Sequence, residues 1–254
     1  MRCVLGTAIF PMEKFLVGIM LKIQQINAFL TINFKHEFMV NNLGEQNSIL
    51  NQFMAELRSI DVQKDRMRFR RNMERIGEIM AYEISKQLKF DVTDVQTPLG
   101  VAQVPQLSAQ PVVASVLRAG LPIHNGFLNV FDKAENAFIS AYRKYEKDGT
   151  FHINFGNVSG PSVDGKTLIL VDPMLASGAS MVLSYQELLK KGTPVHTHIV
   201  SVIASTEGLD YLQRNTYGKP VTIWTAAIDS EMTAKSYIVP GLGDAGDLCF
   251  GEKD

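Results

Sequence analysis

Cysteine is almost missing: Cys3 and Cys249 are the two in 254 residues. They cannot build a disulfide framework or a cysteine metal cluster, so a reducing compartment, by default the cytoplasm, is the expectation. Charge excess is missing too, since 25 basic residues against 26 acidic ones leave a net charge of -1. No global field draws such a chain to nucleic acid. Long apolar runs are also lacking. The most apolar early stretch, FLVGIML at 15–21, is bounded by Glu13, Lys14 and Lys22, whereas a spanning helix wants about 20 apolar residues in a row. No small-residue cleavage site follows it, which argues against a secretory signal. The five histidines, at 36, 124, 152, 196 and 198, show no partner pattern and read as structural or exposed.

What is there begins with a glycine pattern. Residues 241–246, inside YIVPGLGDAGD, spell G-x-G-x-x-G. That fingerprint binds dinucleotides only when its glycines follow a first strand and open a helix, with an acid about 20 residues further on. With the sequence ending at Asp254, no helix, second strand or ribose-binding acid is expected to follow, and the dinucleotide reading is rejected. A rigid loop remains, preceded by the β-prone Tyr237, Ile238 and Val239 and turned by Pro240.

Residues 1–38 form a leader of mixed apolar and charged character, read as a non-native extension or a peripheral arm, and Met39 opens a polar stretch that looks like a natural start. Asn47 or Ser48 can cap a helix through Arg58, and a longer helical pattern spans Gln63 to Leu88. Met73, Ile76, Met80, Ile84 and Leu88 recur at steps of three and four and form one core stripe. The adjoining KDRMRFRRNMER run reads as a solvated face or a subunit contact, with an anion site the lesser alternative. Beyond Leu88 short apolar runs recur at 111–117, 137–142, 167–171, 198–204 and 221–226, with helical segments at 179–191 and about 206–214. This alternation marks βαβ units and a parallel sheet, whose ligands sit at the carboxyl ends of the strands.

In TLILVDPMLASGAS, residues 167–180, a buried strand ends at Val171 and Asp172 follows at once. Small residues from Ala176 to Ser180 then lead into a helix. They let backbone amides approach an anion, Ser177 and Ser180 add hydroxyls, and a helix N-terminus favours negative charge. This is a phosphate cradle with no lysine of the Walker type in it. Asp172 would lie one sugar's width away, suited to ribose hydroxyls. A capping serine and a turn aspartate at an ordinary join are the bland alternative for this segment taken alone.

The set VLRAG at 116–120, AYRKYEKDGTF at 141–151, VDPMLASGAS at 171–180 and YIVPGLGDAGD at 237–247 resembles the uracil phosphoribosyltransferases, from about Asn47 to Gly251. The resemblance implies a type I phosphoribosyltransferase fold: α/β, a central mostly parallel sheet flanked by helices, an N-terminal helical arm, and a small C-terminal hood around the base site. The domain would run 39–254. By the same resemblance Arg118 and Arg143 bind pyrophosphate. Asp172, Pro173, Met174, Leu175, Ala176, Ser177, Gly178, Ala179 and Ser180 hold phosphoribosyl pyrophosphate (PRPP), with Asp244 reaching the same substrate. Main-chain groups of Ile238, Gly243, Asp244 and Ala245 meet uracil. The implied reaction is salvage of uracil to UMP, with Asp172 and Arg143 as catalytic residues and Mg²⁺ bound through PRPP. A homo-oligomer, GTP as an activator, and neither nucleic acid nor membrane as partner complete the implication. Two positions depart from the family, which has threonine at Ser177 and glycine at Ala179; alanine is tolerated at 179 if that residue opens a helix. A nucleotide- or RNA-binding regulator of the same fold, or a silent homologue, are the rivals. The near-neutral charge and the joint presence of Arg118, Arg143, Asp172, Ser177 and Asp244 weigh against both.

Overall fold

A computed structural model describes residues 39–145 and 151–252, without the side chains of 141–155, and all belong to one compact unit. The leader lies outside the described residues. In chain order the elements are β1 (Met39–Asn42), α1 (Ile49–Arg58), α2 (Arg66–Ser85), β2 (Phe90–Thr97), β3 (Gly100–Leu107), β4 (Val112–Leu117), α3 (Gly120–Leu128), β5 (Glu135–Tyr145) and β6 (Phe151–Ser159). There follow β7 (Thr167–Val171), β8 (Met174–Leu175), α4 (Ala179–Leu189), β9 (His196–Ser201), β10 (Ile203–Ser205) and α5 (Thr206–Thr216). The chain closes with β11 (Val221–Thr225), β12 (Ile228–Asp229), β13 (Glu231–Met232), β14 (Ile238–Val239) and α6 (Ala245–Phe250).

Seven strands make the central sheet in the order β1-β11-β9-β7-β4-β5-β6, all parallel except β6, which runs against β5. Its inner strands are apolar on both faces, as a parallel sheet covered on both sides requires. Val113, Ile169, Val171, Val200 and Trp224 face one core, shared with α1, α2, α3 and α6. Val112, Ala114, Leu168, Leu170, Ile199 and Ile223 face the other, closed by α4 and α5.

Ser48 caps α1 in a reciprocal box with Asn51. The second helix is shorter than its pattern, starting at Arg66 under an Asp65 cap and ending at Ser85, while Met73, Ile76, Met80 and Ile84 are fully buried as expected. Four arginines of the run make contacts within the fold. Arg68 meets Glu56 at 2.7 and 2.8 Å, Arg71 meets Glu74 at 2.8 Å, Arg75 lies over Phe53, and Arg70 donates to the Cys249 carbonyl at 2.6 Å. Among the elements that escaped the sequence pattern are the edge strand β1, the helix α3, and the two strands of the β2–β3 ribbon, whose residues are mostly exposed on both faces. Residues 144–145 and 151–157 belong to the antiparallel β5–β6 pair.

Candidate active site

The connections of the sheet reverse at its centre. From β4 the chain moves outward to β5, whereas β7, on the other flank of β4, leads on to β9 and β11. The carboxyl ends of such a neighbouring pair form the crevice where open α/β sheets bind ligands. Arg118 follows β4 and Asp172 follows β7, so both residues singled out at strand ends stand at this switch point. Gly120 draws the two loops together: a Cβ there would lie 2.5 Å from Ser115 Oγ and 3.1 Å from the Val171 carbonyl oxygen.

Residues 172–180 are fixed from below. The Asp172 amide donates to Val200 O at 3.0 Å, and the Pro173 carbonyl accepts from the amides of Val202 and Ile203 at 3.0 and 3.1 Å. Ser205 Oγ donates to the Ala176 carbonyl at 2.6 Å while accepting the Gly208 amide at 2.8 Å. Gly178 adopts φ +78, where L side chains are strained, and its Cβ position is 2.8 Å from Gly208 O, so only glycine suits it. It opens α4 without any side-chain cap, which leaves the first-turn amides of the helix as anion donors. Ala179 is the first helical residue and does not have positive φ. Its departure from the family glycine therefore costs no backbone strain.

The G-L-G-D-A-G loop hangs between β14 and α6. One expectation fails here, because a helix does follow the G-L-G-D-A-G loop. Asp244 Oδ1 accepts from the amides of Gly246 and Asp247 at 2.8 and 3.1 Å and starts α6. Six residues with no strand after them among the described residues do not make a dinucleotide fold. Ile238 and Ala245 are buried, while Gly243 is exposed at φ +88.

Two residues that sequence reasoning passed over anchor this loop. Arg58 Nη1 and Nη2 each donate to Asp229 at 2.8 Å, and Nη1 also donates to the Gly241 carbonyl at 3.0 Å. Asp229 Oδ2 accepts the Gly241 amide at 2.8 Å. Hydrogen bonds from Arg58 hold the Asp229 carboxyl below its ordinary range. Both residues come from unremarkable sequence, and only the fold joins them across 171 positions. In addition β8, β10 and β12 form a small parallel sheet, tying residues 174–175 to Asp229.

The sequence pattern of the family described as uracil phosphoribosyltransferase matches residues 45–252. The chain belongs to that family. A uracil phosphoribosyltransferase of Porphyromonas gingivalis is 53% identical over 214 residues, 84% of this chain and 99% of that protein. One of Methanothermobacter thermautotrophicus is 39% identical over 72% of this chain and 83% of that protein. Among solved structures, the AQ2163 protein from Aquifex aeolicus superposes with a TM-score of 0.73 at 28% identity, covering 84% of this chain and 98% of that one.

Within this uracil phosphoribosyltransferase fold the remaining candidates fall as follows. Arg118 Nη2 donates to the Gly251 carbonyl at 3.3 Å and lies 3.7 Å from Asp247 Oδ1. Arg143 sits in β5 opposite Ile153, and its side chain lies outside the described residues. Cys249 is no nucleophile, since burial pushes its thiol up to about 12. His124, His196 and His198 serve the fold: His198 Nδ1 accepts from Trp224 Nε1 at 3.1 Å, and burial, then the neighbouring His196, pushes its pKa down to about 3. His36 and His152 lie outside the described side chains. Residues 160–167, GPSVDGKT, have the spelling of a Walker loop, a match that sequence reasoning missed. Here the loop joins the strands β6 and β7 instead of leading from a strand into a helix, and Lys166 pairs with Glu135, so the match has no phosphate-binding context.

Proposed function

We propose that this chain, as its family membership implies, transfers the 5-phosphoribosyl group of PRPP to N1 of uracil, giving UMP and pyrophosphate. In that step the bond from C1′ to the pyrophosphate oxygen breaks, the C1′–N1 bond forms, and N1 loses its proton. The observation that carries the reading is the glycine-started, uncapped N-terminus of α4 directly after Asp172 at the switch point. Residues 172–180 hold the 5-phosphate and ribose, with Asp172 at the hydroxyls and beside the oxocarbenium-like centre. Arg118 and Arg143 pair with the departing pyrophosphate, whose charge grows as the bond breaks. Main-chain groups of Ile238, Gly243, Asp244 and Ala245 meet the acceptor–donor–acceptor edge of uracil. Backbone groups cannot flip as an amide side chain can, so cytosine would leave them unpaired.

Magnesium suits a site whose carboxylates, Asp172 and Asp244, are hard oxygen donors; it would be held chiefly by substrate oxygens and would offset the charge of the leaving group. Catalysis by the chain itself is positioning of N1 against C1′ and electrostatic stabilisation. The catalytic domain runs 39–254, with 1–38 a separate leader. A homo-oligomer is supported by exposed Val92, Leu99 and Val101 on the β2–β3 ribbon. A cytoplasmic location is supported by the scarcity of cysteine, and GTP as an activator by the family resemblance alone. Among the described residues no helix is long and apolar enough to cross a membrane. The test is UMP formation from labelled uracil, expected to require both PRPP and Mg²⁺; purified, folded protein that makes no UMP under those conditions would refute the reading.

A further inference from the structure

The guanidinium of Arg118 leaves the end of β4 and rests on α6, the helix that the base loop starts. Its Nη2 donates to the Gly251 carbonyl at 3.3 Å and stands 3.7 Å from Asp247 Oδ1. That carboxylate oxygen is shielded from water and has no hydrogen-bond donor in reach among the described residues. The Asp247 backbone is tied down: its amide donates to Asp244 Oδ1 at 3.1 Å and its carbonyl accepts from Gly251 at 2.8 Å. Arg118 is therefore matched to a counter-ion that is fixed in place yet too far away to bond it well.

Taking Arg118 as a pyrophosphate ligand, which rests on the function proposed above, we propose that Asp247 is its positioning residue. Asp247 acts as a weak internal counter-ion that pyrophosphate displaces on arrival and that reclaims Arg118 as pyrophosphate leaves. The geometry suits exchange. The two side chains are 40% and 35% exposed, and pairs of this kind are weak. Pyrophosphate offers several charges and bidentate oxygens, so it wins the guanidinium. The Arg58–Asp229 pair, bidentate at 2.8 Å, shows the opposite design, a contact built to stay closed. Without Asp247, Arg118 would hold the product more tightly than turnover wants.

The test is calorimetric titration of the full chain with pyrophosphate in the presence of Mg²⁺. Asp247→Asn keeps the size of a side chain whose Oδ1 has no hydrogen bond to lose, and Asp247→Ala is the second variant, both checked by thermal melts. Tightening of about two- to fivefold is expected, with a matching fall in the KM for PRPP, kcat unchanged or lower, and the uracil KM unchanged. A purely structural role in α6 would raise the uracil KM instead, because the base loop sits at the start of that helix. In an Arg118→Ala background the same substitutions should have no effect on pyrophosphate affinity. Tightening that persists there would show mere removal of negative charge and would overturn the proposal. So would unchanged or weaker binding in Asp247→Asn while Arg118→Ala is impaired, and that outcome would leave the proposed function standing. Normal pyrophosphate binding by Arg118→Ala would overturn the assignment of Arg118 and this inference together.

Discussion

Replacing Asp229 by alanine should loosen the base loop without touching the phosphate cradle. Asp229 is 8% exposed and accepts three hydrogen bonds, two from Arg58 and one from the Gly241 amide, each 2.8 Å long. An orphaned buried amide costs about 1–3 kcal/mol. Arg58 is 27% exposed in the pair and can recruit water, so its loss adds only about 1 kcal/mol, well under the figure for a fully buried ion. A total of about 2–4 kcal/mol converts to a melting-point drop of about 4–16 °C for a chain of this size. Gly241 is two residues from Gly243, so part of that energy is spent on the conformation that uracil needs. If about 1.4 kcal/mol of it is felt there, the uracil KM rises about tenfold, with the PRPP KM far less affected. Steady-state kinetics at saturating PRPP, beside a thermal melt, read both numbers. A lower melting point with an unchanged uracil KM would show that the pair supports the fold and not the base site. In the Arg58→Ala background the substitution should cost markedly less, since the two side chains act as one unit.

Three further outcomes follow from the same geometry. Gly243→Val should abolish uracil binding through backbone strain alone: φ is +88, yet a Cβ would meet nothing closer than Leu248 Cδ1 at 3.5 Å, so Gly243→Ala should fail nearly as badly, and a functional alanine variant would refute the strain account. Asp172→Asn should remove most turnover; near wild-type kcat/KM for PRPP would sink its role. Finally, His198 is neutral in the fold, its pKa lowered from 6.5 to about 3, whereas the unfolded chain takes up a proton below pH 6.5. Its contribution to stability is complete above pH 6.5 and is lost as pH falls toward 3, by up to about 1.4 kcal/mol per pH unit. Melts between pH 4 and 8 should show a shallower slope for His198→Gln, which keeps an acceptor for Trp224.

The parts of this molecule that were legible in sequence are those where one local rule dominates. Continuous apolar runs marked the inner strands, the three-and-four spacing marked α2, and the strand–acid–small-residue order marked the join of β7 to α4 as a candidate phosphate loop. The β2–β3 ribbon was illegible because both faces of FDVTDVQT and GVAQVPQL meet solvent, so no alternation singles out a buried side. Helix α3 begins at Gly120 without a side-chain cap, and its start carries no local signal. Within the candidate site, residues 172–180 carry a local chemical pattern, whereas Arg118 is singled out through the family resemblance. Arg58, Asp229 and Asp247 were not legible, since each matters only through a partner brought near by tertiary structure.

The pairing of β1 with β11 bears on how the chain is made. Val40 and Asn41 lie beside Ile223 and Trp224, so the first strand of the fold waits until nearly all the sequence has left the ribosome before it has a neighbour. Leu50, Met54 and Leu57 on α1 share a core with Phe69, Met73 and Ile76 of α2, but that core is completed only by Trp224, Ile238 and Leu242. During synthesis the uncompleted part of this apolar core and an unpaired strand edge are exposed together, the combination that invites association with other chains. Closure of the sheet at β11 is thus a late event of long contact order, expected to limit the folding rate, and chaperone dependence should fall on the first 60 described residues more than on the last.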